Sequence, residues 1–154
     1  MGDFFCDTSA VVKRYVKETG TDYVDGLVNP KNGNVVLLAD ITRVEVVAAI
    51  TRKVKGGATT LTEAENALAA FKYDLANIYY TIEISPAILD AAMIVARKHG
   101  LRGYDSVQLA AALSANADMN SFGLSTIVVV SADGELNAAA AAEGLAVENP
   151  NDYA

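Results

Sequence analysis

Acidic side chains stand at four places where the surrounding residues are mostly apolar: Asp7 in FFCDTSAVV, Glu45 in ITRVEVVAAI, Asp105 in LRGYDSVQLAAAL and Asp133 in TIVVVSADGEL. A carboxylate beside or inside a buried-looking segment costs free energy unless its charge is offset. One bound divalent cation would offset all four. Without a cation, like charges gathered in one pocket raise one another's pKa. An all-oxygen donor set suits Mg²⁺ or Mn²⁺ better than zinc. Such an ion would orient a phosphodiester, lower the pKa of a water and stabilise the leaving oxygen. The chemistry expected of Asp7, Glu45, Asp105 and Asp133, as metal-holding and catalytic residues, is in-line hydrolysis at phosphorus.

Taken singly, each aspartate also reads as a helix cap, and Asp105-Ser106-Val107-Gln108 fits a capping box. Glu45 does not. It reads as the interior of a helix whose neighbours Val44, Val46, Val47 and Ile50 leave almost no polar face, with Arg43 or Arg52 as the alternative partner. Thr8, Ser9 and Ser131 adjoin Asp7 and Asp133, as caps or as supports for a water at the metal. Glu135 is a further carboxylate or a first-turn helix charge. Arg14, Arg43 and Arg52 are the candidates for contacting substrate phosphates. The one histidine, His99, reads as a surface residue and cannot complete a Ser-His-Asp or Cys-His set. Neither GxxxxGK[ST] nor GxGxxG occurs, so no glycine loop is available to cradle a nucleotide.

Strand-like and helix-like segments alternate in a way that predicts an α/β three-layer sandwich, a parallel central sheet flanked by helices, over one domain of residues 1–154. Strands are expected at Phe4-Phe5-Cys6, 35–39, 79–84 and 126–130, with a short edge strand at 145–147. Helices are expected over 8–18, 22–28, 42–54, 62–77, from Pro86, over 105–115 and over 134–143. Thr62 to Glu65 reads as a capping box, and Met119 to Ser125 as a loop. In a parallel sheet every strand ends at the same edge, where ligands bind, so Asp7 and Asp133 share that edge.

The formal net charge of −7 argues against broad nucleic-acid affinity, leaving room only for local contacts. Basic residues cluster at Lys13, Arg14 and Lys17, at Arg52, Lys53 and Lys55, and at Arg97, Lys98 and Arg102; the last two groups read as helix ends. The single cysteine, Cys6, reads as core and allows no internal disulfide. No apolar run is long enough to span a bilayer and the N-terminus has no secretory pattern, so a cytoplasmic protein is expected.

These residues resemble the PIN-domain ribonucleases, and within them the VapC-type toxins of toxin-antitoxin pairs. The likeness lies in Phe5-Cys6-Asp7-Thr8-Ser9-Ala10, in Val44-Glu45-Val46, in the run from Arg97 to Ala110, in Val130-Ser131-Ala132-Asp133-Gly134-Glu135-Leu136, and in Glu143-Gly144-Leu145. The blocks fall in the family's order across nearly the whole chain. The chain differs in having Glu135 where the family often has Asp, and in a longer segment between Gly56 and Asn77. The resemblance implies an acidic quartet of Asp7, Glu45, Asp105 and Asp133 binding Mg²⁺ or Mn²⁺. It also implies endoribonuclease activity on structured RNA, a homodimer, and a small cognate antitoxin that occupies the acidic groove. The alternatives are a metal-dependent phosphatase or phosphotransfer domain, which lacks a second Asp two positions after Asp7 and a lysine after Val130, and a non-catalytic binding module on the same fold.

Overall fold

Side chains along the strands point alternately to two covered faces, which is why their sequences read as continuous apolar runs. In the computed structural model, which describes residues 1–154, strand β1 (Asp3–Cys6) sends Phe5 into one core and Cys6 into the other. β2 (Val35–Ala39) places Val36 and Leu38 beside Cys6 and Ala39 beside Phe5, and β4 (Val128–Val130) divides Val129 and Val130 the same way. With β3 (Tyr80–Ile82) and β5 (Ala146–Glu148) they form a five-stranded, wholly parallel sheet of order β3-β2-β1-β4-β5. The three-layer α/β sandwich expected from the sequence is therefore the architecture.

One core packs α1 (Thr8–Tyr15), α2 (Thr21–Val28), α3 (Thr42–Lys55) and α4 (Leu61–Asn77) against Cys6, Val36, Leu38 and Val130. The other packs α5 (Pro86–His99), α6 (Gly103–Ser121) and α7 (Gly134–Ala142) against Phe5 and Val129. No helix is long and apolar enough to cross a membrane. Cys6 is buried, as expected, and burial pushes its thiol far above the usual range.

Several boundaries depart from expectation for identifiable reasons. The pattern Thr-x-x-Glu occurs in two overlapping frames, and the one used is Thr60 with Glu63, not Thr62 with Glu65. Thr60 Oγ1 accepts from Glu63 N at 3.1 Å, and Thr60 N donates to Glu63 Oε2 at 3.3 Å. Helix α6 begins at Gly103, so Asp105 lies within its first turn instead of capping it; the cap position belongs to Arg102, whose side chain makes no capping bond. The same helix runs through Met119, Asn120 and Ser121, where a loop was expected, because its last turn lies in solvent and asks no apolar face of those residues. β3 and β4 are shorter than predicted, and β5 begins one residue later, at Ala146. His99 is not a free surface residue: its Nε2 lies 2.9 Å from Glu143 Oε1, joining α5 to the end of α7.

Candidate active site at the carboxyl edge of the sheet

The chain order reverses between β1 and β4: β1, β2 and β3 are added on one side, then β4 and β5 on the other. A crevice opens at the carboxyl ends of strands flanking such a switch point. Asp7 follows β1 directly, and Ser131 and Asp133 follow β4, so both strands deliver polar groups into the same crevice. Helices α3 and α6 close it with Glu45 and Asp105. The result is a groove of about 500 Å³ lined by Asp7, Thr8, Ser9, Glu45, Asp105 and Asp133, together with Lys13, Glu18, Arg52, Lys53, Arg102, Tyr104 and Gln108.

Asp7 is buried and held at both oxygens. Its Oδ1 accepts from Ser9 Oγ at 2.7 Å and from Ala10 N at 3.0 Å, and its Oδ2 accepts from Ser131 Oγ at 2.7 Å. Capping and a functional position are thus compatible here. Ser9 Oγ in turn accepts from Ala132 N at 2.9 Å, and Ser131 Oγ from Asp133 N at 3.0 Å, tying α1 to the turn after β4. Glu45 lies in the first turn of α3, not mid-helix; its Oε1 accepts from Thr8 Oγ1 at 2.8 Å and from Gln108 Nε2 at 2.9 Å. Neither Arg43 nor Arg52 pairs with it. Asp133 caps α7 through Oδ1, accepting from Glu135 N and Leu136 N, which leaves Oδ2 facing the groove side. There Arg102 Nη2 donates to Asp133 Oδ2 at 3.1 Å while its Nε donates to Asp105 Oδ2 at 3.2 Å.

Burial is the main reason that the Asp7 carboxyl is pushed up to about 6, with Asp105 adding to it; the bonds from Ser9, Ser131 and Ala10 pull the other way. Burial and then Asp133 also raise Asp105, against the pull of Arg102, and Glu45 adds to the rise. These mutual influences mark the carboxylates as one electrostatic unit. As arranged, no three of them close on a single point as metal ligands, and Arg102 spans the outer pair. The donors nevertheless fit a hard cation: all are oxygens, all line one groove, and Asp7 and Asp105 carry charge that burial disfavours.

A raised folded-state pKa fixes the sign of the pH dependence. Asp7 contributes stability below its unfolded pKa, and that contribution is lost as pH rises through about 6. A cation competing with that proton is expected to bind about tenfold more weakly for each pH unit below 6. Mn²⁺ titrations of the metal-free protein at pH 5 and pH 7.5 check this, and equal affinities would remove Asp7 from the ligand set.

The remaining sequence candidates divide. Arg52 lines the groove, on the same stripe of α3 as Glu45, Ala49 and Lys53. Arg14 does not: its Nε donates to Asp74 Oδ2 at 2.8 Å and its Nη1 to Asp25 Oδ1 at 3.3 Å, in a separate recess. Arg43 pairs with Asp40 at 2.9 Å and reaches Thr81 on β3, away from the groove. Glu135 lines a neighbouring recess with His99 and Leu101. Sequence reading missed Gln108, Arg102, Lys13 and Lys53 as groove residues. Gln108 carried a signal: it lies three positions after Asp105, hence on the same face of a helix, and is polar on an otherwise apolar buried face.

Fold and groove together define a parallel α/β protein with an acidic site at its topological switch point. The PIN domain family matches residues 4–142, and the chain belongs to that family. PIN domains are generally nucleases that use divalent metal ions. No curated protein matches the chain by sequence. Among solved structures it is similar to PAE2754 from Pyrobaculum aerophilum, with a TM-score of 0.63 and 22% identity over 98% of this chain and 85% of that one. It is similar also to VapBC2 from Rickettsia felis, solved bound to a DNA fragment from their promoter, with a TM-score of 0.64 and 14% identity over 96% and 98% of the two chains. FitAcB from Neisseria gonorrhoeae gives a TM-score of 0.61 at 15% identity over 96% and 97%. At these identities the likeness is one of fold.

Proposed function

We propose that residues 1–154 form one PIN-like domain acting as an Mg²⁺- or Mn²⁺-dependent endoribonuclease, the VapC-type toxin of a toxin-antitoxin pair. The observation that carries this reading is the gathering of Asp7, Glu45, Asp105 and Asp133 from four separate elements around one groove. The ion, once bound, supplies Lewis acidity to the scissile phosphate and to the attacking water. The chain's own residues do the rest. Ser9, Ser131 and the Ala10 amide fix Asp7, while Thr8 and Gln108 fix Glu45, so the ligands are oriented before substrate arrives. Glu135 lines the neighbouring recess, and its backbone amide helps to orient Asp133 by donating to Oδ1.

The groove also has a basic end, which reconciles the net charge with an RNA substrate. From Glu45 to Arg52 the α3 stripe advances about 10 Å along the helix, at ~1.5 Å per residue. A strand with its scissile phosphate at the carboxylates therefore lays a neighbouring phosphate against Arg52 and Lys53. Lys13 is buried beneath them, donating to Glu18 Oε1 at 3.1 Å and to the Thr19 carbonyl at 2.8 Å.

A homodimer is part of the same proposal, and α5 offers a face for it, with Leu89 and Met93, four residues apart, 46% and 72% exposed. A small cognate antitoxin covering the groove and a cytoplasmic setting complete this proposal, the antitoxin supported by a fold shared with VapBC2 and FitAcB. The phosphatase alternative is disfavoured because Ser9, and not a second aspartate, stands two positions after Asp7, and no lysine follows Val130. Incubating the protein with labelled structured RNA and with a phosphomonoester separates the readings. Mg²⁺-dependent RNA cleavage, abolished by a chelator and without phosphomonoester turnover, is expected; the reverse pattern would refute the ribonuclease.

A further inference from the structure

Arg102 is a groove residue whose part in the proposed chemistry has not been assigned. Its guanidinium bridges Asp105 Oδ2 at 3.2 Å and Asp133 Oδ2 at 3.1 Å, yet its side chain is 77% exposed. Backbone and side chain are anchored very differently. The Arg102 carbonyl accepts from Ser106 N and from Ser106 Oγ, each at 2.9 Å, so the pivot is fixed at the start of α6. Beyond the pivot only the two carboxylates hold the arm. A guanidinium cannot lose its proton, so this is a permanent positive charge across the outer half of an acidic site.

We propose that Arg102 is the resident counter-cation of the metal-free site: it holds Asp105 and Asp133 as a pair, must leave them when a divalent cation binds, and then serves the substrate phosphate from the rim. This rests on the metal-site reading above. Displacement is favourable in sign because a divalent ion brings twice the charge to carboxylates that lie less exposed than the arginine itself. It disturbs no backbone, since the arm moves about a pivot secured by Ser106. Once released, the guanidinium stays within its own length of the groove, where its planar fork of donors matches a phosphate better than a lysine would. The device keeps the carboxylate pair compensated without metal and leaves a phosphate ligand at the mouth once metal is in place.

The test is Mn²⁺ binding to the full chain, followed by the electron paramagnetic resonance of free Mn²⁺, alongside KM and kcat for a labelled RNA. Arg102→Ala is expected to bind Mn²⁺ about 3- to 10-fold more tightly than the wild type, the range open to two solvent-facing ion pairs, while KM for RNA rises. Arg102→Lys, which keeps the charge and loses the fork, is expected to lie between. Arg52→Ala removes a charge of the same sign from the same groove without touching a carboxylate, so its Mn²⁺ affinity should change less. Unchanged or weaker binding in Arg102→Ala, or an equal gain in Arg52→Ala, would overturn the counter-cation role while leaving the metal site standing. Absence of Mn²⁺ binding by wild type and variants alike would overturn the metal site itself, and this proposal with it. Circular dichroism of each variant, and Arg102→Gln as a second neutral replacement, separate these outcomes from misfolding.

Discussion

Asp7→Asn is expected to abolish RNA cleavage while leaving the protein at least as stable as the wild type at neutral pH. Loss of activity should exceed about 100-fold, the upper range for groups that merely orient a metal ligand. The stability expectation follows from burial, which pushes the Asp7 carboxyl up to about 6, so that holding it ionised at pH 7 costs the fold on the order of 2–3 kcal/mol. Asparagine removes that charge, keeps the shape and still accepts from Ala10 N through its carbonyl. The Ser131 hydroxyl can rotate to accept from the new amide. Cleavage assays and thermal melts of one preparation give both readouts. A variant that is active, or inactive only because it is unfolded, would contradict the assignment.

The largest effect on folding is expected far from the groove. Asp74, buried on α4, accepts from Arg14 Nε at 2.8 Å and from Tyr15 Oη at 2.7 Å, and Tyr15 Oη lies 2.8 Å from Tyr79 Oη. Burial raises both tyrosines, and Asp74 adds to the rise, so these hydroxyls stay neutral at any physiological pH. Asp74→Ala strips this cluster of its only buried acceptor charge and leaves the partly buried Arg14 with Asp25 alone. The expected cost is about 3 kcal/mol, or a Tm lower by roughly 10 °C for a chain of this size. Specific activity of the folded fraction should be unchanged. A fall of under 1 kcal/mol in urea titration would show that Arg14 finds equivalent company at Asp25.

The same cluster shows where sequence reading of the site ran out. Arg14 was a reasonable phosphate contact by type and by its closeness to Asp7 in the chain. Its true partner, Asp74, lies on α4, and nothing in local pattern links residues so far apart. The carboxylates were legible for the opposite reason: Asp7 and Asp133 each follow an apolar strand run, and parallel topology sends all strand ends to one edge. Glu45 was found through the apolar residues around it, although Val44 and Val47 prove exposed and Glu45 belongs to the first turn of α3. Arg102 was hidden by a plausible local role near a helix end, since pairing with Asp133 is settled only when β4 docks beside β1. Element identities held throughout, while boundaries moved where a motif occurs in two frames, where a helix end lies in solvent, and at the ends of α1, α6 and the short strands β3, β4 and β5.

Gln108 belongs to the same unread group of long-range contacts. Its Nε2 donates to Thr42 Oγ1 and to Glu45 Oε1, each at 2.9 Å, while its Oε1 is buried without a partner. A buried amide satisfied on one side only is costly. Its bond to Glu45 holds that carboxylate in place at this cost.

In the proposed nuclease, carboxylates from the residue after β1, from α3, from α6 and from the turn after β4 share one divalent cation. Anomalous diffraction from crystals soaked in Mn²⁺ tests it directly. A peak is expected about 2.0–2.3 Å from an Asp7 oxygen and within reach of at least one of Glu45, Asp105 and Asp133, with Arg102 swung away from the pair. A groove without a peak, its outer carboxylates still bridged by Arg102 at saturating Mn²⁺, would contradict it.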